Sequence, residues 1–344
     1  MHRSRHFSVF LLSIFFLFPA VLAHAQETSP SQSAPIKVSV DRVNVGVVVT
    51  DGAGKFVAGL NRDDFQLFDN GVEQPLTGFA TIEEPAQVLL LIEAGPAVYL
   101  LEGGHLRAAY ALLTGLAPSD RVAVVKYADA SHPLVDFTSD KQVAAASFDE
   151  LRFNLGFGSL NLSSSLSQVL DWLASVPGKK TVVLLSTGVD TSSANSLATL
   201  LQRLETSDVR LLAVSLTGEL RYPPPNRKKK SALDQTSPTA QQFAEADLLL
   251  KRLAESTGGR AFFPTNTKEF TAMYSEIAQL VRHEYSLAFA PPARDGAVHS
   301  IEVRVTTPPV AHSTPHSMPN RTIDRSTYRI DHRRAYLAPA SATS

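Results

Sequence analysis

Cysteine is absent from the chain, and methionine and tryptophan are nearly so, with three and one among 344 residues. The missing thiols exclude disulfides, thiolate metal sites, cysteine nucleophiles and a lipid carried on an amino-terminal cysteine. A chain of this length must then hold together by burial, which suits a large domain better than a small one. An excess of one charge is also missing: 32 Lys and Arg stand against 33 Asp and Glu, for a net charge of -1. That balance excludes the broad basic footprint of a nucleic-acid binder or an anionic membrane surface. No GxSxG, HExxH, P-loop or GxGxxG motif is present. The ten histidines show no metal-ligand spacing, and none pairs with a nucleophile. No enzymatic activity is therefore expected, an enzyme of unrecognised class being the alternative.

The one long apolar run is at the start. Residues 1–25 read as a signal peptide, with Arg3 and Arg5, an apolar stretch from Phe7 to Leu22, and Ala23-His24-Ala25 as the cleavage site. Cleavage removes Arg3 and Arg5 and takes the net charge from -1 to -3. The expectation is an exported protein, periplasmic or extracellular, with no integral membrane span after signal cleavage. An uncleaved anchor is the alternative, although Pro19 interrupts the run.

A polar linker, residues 26–35, follows. Residues 36–84 then read as the first part of a β subdomain: Val43, Val45, Val47 and Val49 alternate, and Asp69-Asn70-Gly71 marks a hairpin turn. From residue 85 to 283 the pattern becomes α/β. The apolar strands VLLLI, RVAVVKY, TVVLLS and VRLLAVSL alternate with helical stripes such as Leu166, Val169, Leu170 and Leu173. Trp172 beside that stripe reads as packing. A helix is expected over 140–153 and a helix end at Gly258-Gly259. Residues 284–307 read as strands that return to the β subdomain. Residues 308–344, rich in Pro, Ser, Thr and Arg, read as a disordered tail. The predicted fold class is α/β: a doubly wound, mostly parallel sheet, with a small β subdomain built from N-terminal and late C-terminal strands.

In such a sheet, ligands bind at the carboxyl ends of the strands, where strand order reverses. Three stretches reach that rim: Glu93 with Ala94-Gly95-Pro96-Ala97, GFGSLNLSSS (156–165), and LLSTGVDTSS (184–193). Taken in this order, with VNVGVVVTDGAGKFVAGLNRDDFQLFDNG before them, they resemble the von Willebrand factor A (VWA) superfamily, and most of all the bacterial VWFA-related family described from acidobacteria. The resemblance spans roughly residues 36 to 307 and implies a Rossmann-like fold with a metal-ion-dependent adhesion site. That site commonly holds Mg²⁺ through an Asp-x-Ser-x-Ser motif, a loop Thr and a further Asp.

In this chain the positions that match the motif carry Glu93, Gly95, Ala97, Leu160 and Thr187, with Ser159, Ser186 and Asp190 nearby. Most of the oxygen ligands are gone, and a hard cation needs them. The expected site is a degenerate rim with no cofactor. Glu93 is expected to be a partly exposed acid hydrogen-bonded to Thr187 or Ser186, and Leu160 to add an apolar side chain to a protein contact anchored by Tyr99. The alternative for that surface is internal cover by the β subdomain. Ser163-Ser164-Ser165 read as helix capping, and Arg227 to Lys230 as a solvated loop. The resemblance thus implies a secreted, non-catalytic module for an unidentified protein partner. An Mg²⁺-dependent adhesion module with an unusual ligand set is the alternative.

Overall fold

The computed structural model describes residues 42–82, 85–95, 104–151, 159–218, 238–306 and 328–340. The expected signal peptide and linker, and the Arg227 to Lys230 loop, lie outside the described residues. The chain opens with β1 (Val43–Thr50), β2 (Phe65–Asp69), β3 (Val72–Gln74) and β4 (Leu76–Ile82). It continues through β5 (Gln87–Glu93), α1 (Gly104–Gly115), β6 (Arg121–Tyr127), β7 (Ser131–Thr138), α2 (Lys141–Ala146) and α3 (Leu162–Leu173). Next come β8 (Lys180–Ser186), α4 (Ala194–Thr206), β9 (Val209–Ser215), α5 (Pro238–Ser256), β10 (Ala261–Phe262) and α6 (Thr267–Arg282). The described strands close with β11 (Glu284–Phe289), β12 (Val298–Val305), β13 (Arg329–His332) and β14 (Ala335–Leu337).

The central sheet has the order β10-β9-β8-β5-β6-β7. All its pairings are parallel except that of β7 with β6. From β5 the chain moves outward through β6 to β7, then crosses back past β5 to β8. Strand order therefore reverses beside β5, and the end of β5 lies at the switch point. Successive residues of β5 supply opposite faces. Val88, Leu90 and Ile92 pack with Leu112 of α1 and with Tyr274 and Ile277 of α6. Leu89 and Leu91 pack with Leu166 of α3, Leu200 of α4 and Leu250 of α5. Burial on both faces is why these strands read as unbroken apolar runs.

The other strands form two four-stranded sheets, β13-β1-β11-β4 and β14-β12-β2-β3. Their facing residues make one core: Val45, Val47 and Val49 of β1, Tyr285, Leu287 and Phe289 of β11, Leu67 of β2, Ile301 and Val303 of β12, and Tyr336 of β14. The β subdomain is thus a sandwich and not one completed sheet. Each late strand lies beside an early one, β11 between β1 and β4, and β12 against β2. Both residues of the two-residue hairpin loop between β2 and β3, Asn70 and Gly71, have positive φ, as such tight turns require.

Two expectations need correction, and one strand was not anticipated. The stretch 308–344 is not wholly a disordered tail, because β13 and β14 lie within it. Tyr336 and Ala338 enter the sandwich core and Ile330 packs against it, so three apolar side chains outweigh the polar composition around them. Residues 307–327 and 341–344 lie outside the described residues. The unanticipated strand is β7, which the apolar pattern did not reveal. It forms the edge of its sheet, which is where Pro133 can be tolerated. Second, the helix expected over 140–153 is shorter: Asp140 caps α2 by accepting from Gln142 N at 2.8 Å and Val143 N at 3.3 Å, and a single 3-10 turn, Ser147–Glu150, follows it.

One buried cation ties the sandwich to the α/β layers. Arg260, 4% exposed, donates to Asp331 of β13 at 2.5 Å, Glu276 of α6 at 2.9 Å and Thr50 of β1 at 2.6 Å. Just before it, Gly258 has φ +69°, and a Cβ there would stand 2.0 Å from the backbone carbon of His332. Only glycine lets β13 approach this closely. Deleting residues 307–344 should therefore cost about 4 kcal/mol or more, since it removes core side chains and leaves Arg260 short of its carboxylate. Chemical denaturation checks this: a truncated chain as stable as the whole would contradict it.

Candidate functional site

The parallel register lines up the ends of three adjacent strands. Glu93 pairs with Tyr127, and Ile92 with Leu185, which sets Ser186 level with Glu93. The three side chains meet in the interior. Glu93, expected to be partly exposed, is 0% exposed. Its Oε2 accepts from Tyr127 Oη at 3.1 Å, Ser186 Oγ at 3.0 Å and Thr187 N at 2.7 Å, and Thr187 Oγ1 lies 2.9 Å from both oxygens. The tyrosine and serine hydroxyls also stand 2.6 Å apart, and Ser186 Oγ accepts from Gly188 N at 2.8 Å.

Four donor groups surround the carboxylate, which offers about four lone-pair sites, and one of the two hydroxyl protons of Tyr127 and Ser186 is shared in their 2.6 Å contact. The acid is satisfied without any cation. Burial drives its pKa upward from the ordinary 4.5, against the opposing pull of Thr187, Ser186 and Tyr127. The phenol of Tyr127 is also pushed well above its usual range, by burial and then by the Glu93 charge. The arrangement tolerates a proton as well. Among the described residues, Oε1 has only Thr187 Oγ1 at hydrogen-bonding distance, so a protonated Oε1 can donate to that hydroxyl while Oε2 still accepts from its other neighbours.

Among the described residues, the space beside the carboxylate is filled. Leu160, expected on an open contact surface, is 7% exposed. A Cβ on Gly95 would come 2.7 Å from Leu160 Cδ2 and 3.4 Å from Glu93 Oε1. Leu160 therefore occupies the space beside the acid, and Gly95, itself buried, makes room for it. The backbone holds Leu160 down: its carbonyl accepts from Thr191 N at 2.7 Å and Thr191 Oγ1 at 2.8 Å. Of the other residues singled out in the sequence, Ser159 is exposed. Ala97, with Pro96 and Tyr99, lies outside the described residues.

Asp190 does not join Glu93. It closes the amino end of α3, accepting from Ser163 N at 3.2 Å and from Ser163 Oγ, and from Ser192 N at 3.0 Å and Ser192 Oγ at 2.7 Å. The helix is thus capped by a carboxylate from another loop and not by its own serines, and that carboxylate fills the place an anion would take. Beyond Asp190 the surface opens into a groove of about 410 Å³ between α4 and α5, lined in part by Val189, Leu197, Phe243 and Leu249. Trp172 packs with Phe137, ring centroids 5.6 Å apart.

The Mg²⁺ that the family resemblance implies does not fit these residues. A hard cation needs several free oxygens in octahedral array. Here the carboxylate oxygens are spent on hydroxyl and amide donors, and an aliphatic side chain fills the neighbouring space. Among the described residues, no group of three or more His, Cys, Asp or Glu is placed to hold a metal ion.

Sequence reading missed Tyr127. The signal for it is positional: both Glu93 and Tyr127 end an apolar strand and are followed by alanine, so parallel pairing in register makes them neighbours.

No family model matches the chain, and no curated protein matches it. Similar solved structures include an aerotolerance-related membrane protein from Bacteroides fragilis, 12% identical with a TM-score of 0.42, over 57% of this chain and 99% of that one. A von Willebrand factor type A protein from Catenulispora acidiphila is 8% identical with a TM-score of 0.43, over 88% of this chain and 75% of that one. The vWF domain of the type V pili tip protein Mfa5 from Porphyromonas gingivalis is 12% identical with a TM-score of 0.43, over 59% of this chain and 96% of that one.

The site predicts a sharp difference between two substitutions. Glu93→Ala strands buried donors and leaves a cavity, and should cost about 3 kcal/mol or more. Glu93→Gln matches the protonated acid in shape and bonding and should cost about 1 kcal/mol or less. Because the folded pKa is raised, the native state holds the Glu93 proton more tightly than the unfolded chain does. The stability of wild type relative to Glu93→Gln should be greatest below pH 4.5 and should fall as pH rises past it. Denaturant titrations across pH check both points. Equal, small losses in both variants would mean that Glu93 is a solvated acid.

Proposed function

We propose that the chain is a secreted, non-catalytic, protein-binding module of the VWA type, built like the VWFA-related family, whose recognition uses no bridging metal. The observation that carries this reading is the closure of Glu93: four donors take up its carboxylate, and Leu160 covers the space beside it. An adhesion site that bridges a partner's acid through a cation needs an open coordination position, and the filled space beside Glu93 argues against one.

Among the described residues, the arrangement that most resembles catalytic machinery suits a structural role. His299 is held between Asp69 at 2.8 Å and Asp295 at 3.2 Å. The hydroxyl beside it, Tyr336 Oη, donates to Asp69 at 2.8 Å. A general base must keep a nitrogen free for the proton it abstracts, and both ring nitrogens of His299 face carboxylates. Those bonds, the Asp69 bond foremost, raise its pKa. The cluster ties β2, β12 and β14 together.

Export is supported by the amino-terminal segment. No helix among the described residues is long and apolar enough to cross a membrane.

The test is affinity capture from cell-envelope extract, with the captured partner then bound to purified protein in EDTA and in Mg²⁺. Affinity should agree within about twofold between the two buffers, and Glu93→Gln should bind like wild type. Loss of binding in EDTA, restored by Mg²⁺, would overturn the proposal.

A further inference from the structure

At the amino ends of β8 and β9, the pole opposite Glu93, the central sheet meets β1 and β11 of the sandwich around a cleft of about 390 Å³. Cations dominate its lining. Among the described residues that line it, Arg42, Lys179, Lys180, Arg210 and Arg333 face two carboxylates, Asp208 and Glu284. Asp208 matches Lys180 at 2.7 Å. Lys179 and Arg210 must share Glu284, at 3.4 and 2.9 Å. Arg333 donates to the Asn44 carbonyl at 2.6 Å.

This charge is buried. The side chains of Lys179 and Arg210 are 7% and 9% exposed. Gly46 of β1 makes room for the pair's carboxylate, since a Cβ there would stand 2.8 Å from the Glu284 carboxyl. Glu284 bonds both cations but does not use up their donors. Among the described residues, Arg210 Nε and Arg333 Nε are buried with no acceptor, and Lys179 has no carboxylate but the one it shares with Arg210. Buried donors are nearly always paired, so two unmatched guanidinium Nε atoms beside a surplus cation point to a missing acceptor. Burial lowers the Lys179 ammonium to about pH 8, outweighing the opposing pull of Glu284.

We infer that this cleft binds an oxyanion group, phosphate or sulfate, between Lys179, Arg210 and Arg333. An oxyanion offers acceptors in several directions at once. That suits guanidinium forks and an ammonium converging from different elements. It also supplies the negative charge that Glu284 alone cannot, and nothing in the inference depends on the Glu93 rim.

Titration of inorganic phosphate into the protein by calorimetry, at constant ionic strength, tests the site. Wild type should bind saturably at millimolar concentration or below. Lys179→Met removes the surplus cation but leaves Glu284 paired with Arg210, so it should keep its melting temperature while binding phosphate about tenfold more weakly. Arg333→Gln provides a second reading should the first variant fold poorly. Sedimentation with phosphatidylglycerol vesicles separates the sources. Co-sedimentation that Lys179→Met abolishes assigns the oxyanion to a lipid headgroup; phosphate binding without co-sedimentation assigns it to a soluble ligand. No saturable phosphate binding by wild type, or binding unchanged in both variants, would overturn the inference.

Discussion

A carboxylate taken fully out of water must be met by a cation or by donors, because its burial otherwise costs several kcal/mol. In this protein Glu93 meets donors. That choice shapes the whole carboxyl end of the sheet. It requires β5, β6 and β8 in one register so that Tyr127 and Ser186 arrive level with the acid. It requires the backbone after β8 to turn so that Thr187 offers both its N–H and its hydroxyl. It requires glycine at position 95, where a side chain would strike Leu160. At the switch point, the default place for a ligand in this architecture, Glu93 and its donors thereby join three strands.

The second joint is Arg260, and it shows how the end of the chain takes part in the fold. The arginine leaves α5 through Gly258-Gly259 and reaches Thr50 and Asp331 in the sandwich. β13 thus pairs with β1 while its aspartate neutralises a cation of the α/β layers. A buried arginine is tolerated there because several acceptors meet its planar fork. The opposite holds at Lys179 and Arg210, where two buried cations share one carboxylate. Arg260 thus has a carboxylate of a sandwich strand, whereas Lys179 and Arg210 leave a surplus of charge that the proposed oxyanion would meet.

Much of the central sheet was legible in the sequence, because strands buried on both faces carry continuous apolar runs such as Leu89 to Ile92. The position of Glu93 at a strand end was legible for the same reason. Its burial was not. Nothing local distinguishes an acid that faces water from one that turns inward to meet Tyr127, whose contact spans 34 positions. β13 and β14 were hidden because each places only one or two apolar side chains in the core, amid a polar stretch. β7 was hidden by Pro133 and by its half-exposed edge position. The cationic cleft was invisible because its members come from five separated segments that only the packing of sandwich on sheet brings together.

The central claim is that the strand-end acid is closed to metal, and calorimetric titration of Mg²⁺ and Mn²⁺ into the purified protein tests it most directly. The account predicts no saturable heat and no rise in melting temperature at millimolar metal, where a ligand at a hundred times its dissociation constant would add about 2.7 kcal/mol. Stoichiometric binding of either ion, lost in Glu93→Gln, would contradict it.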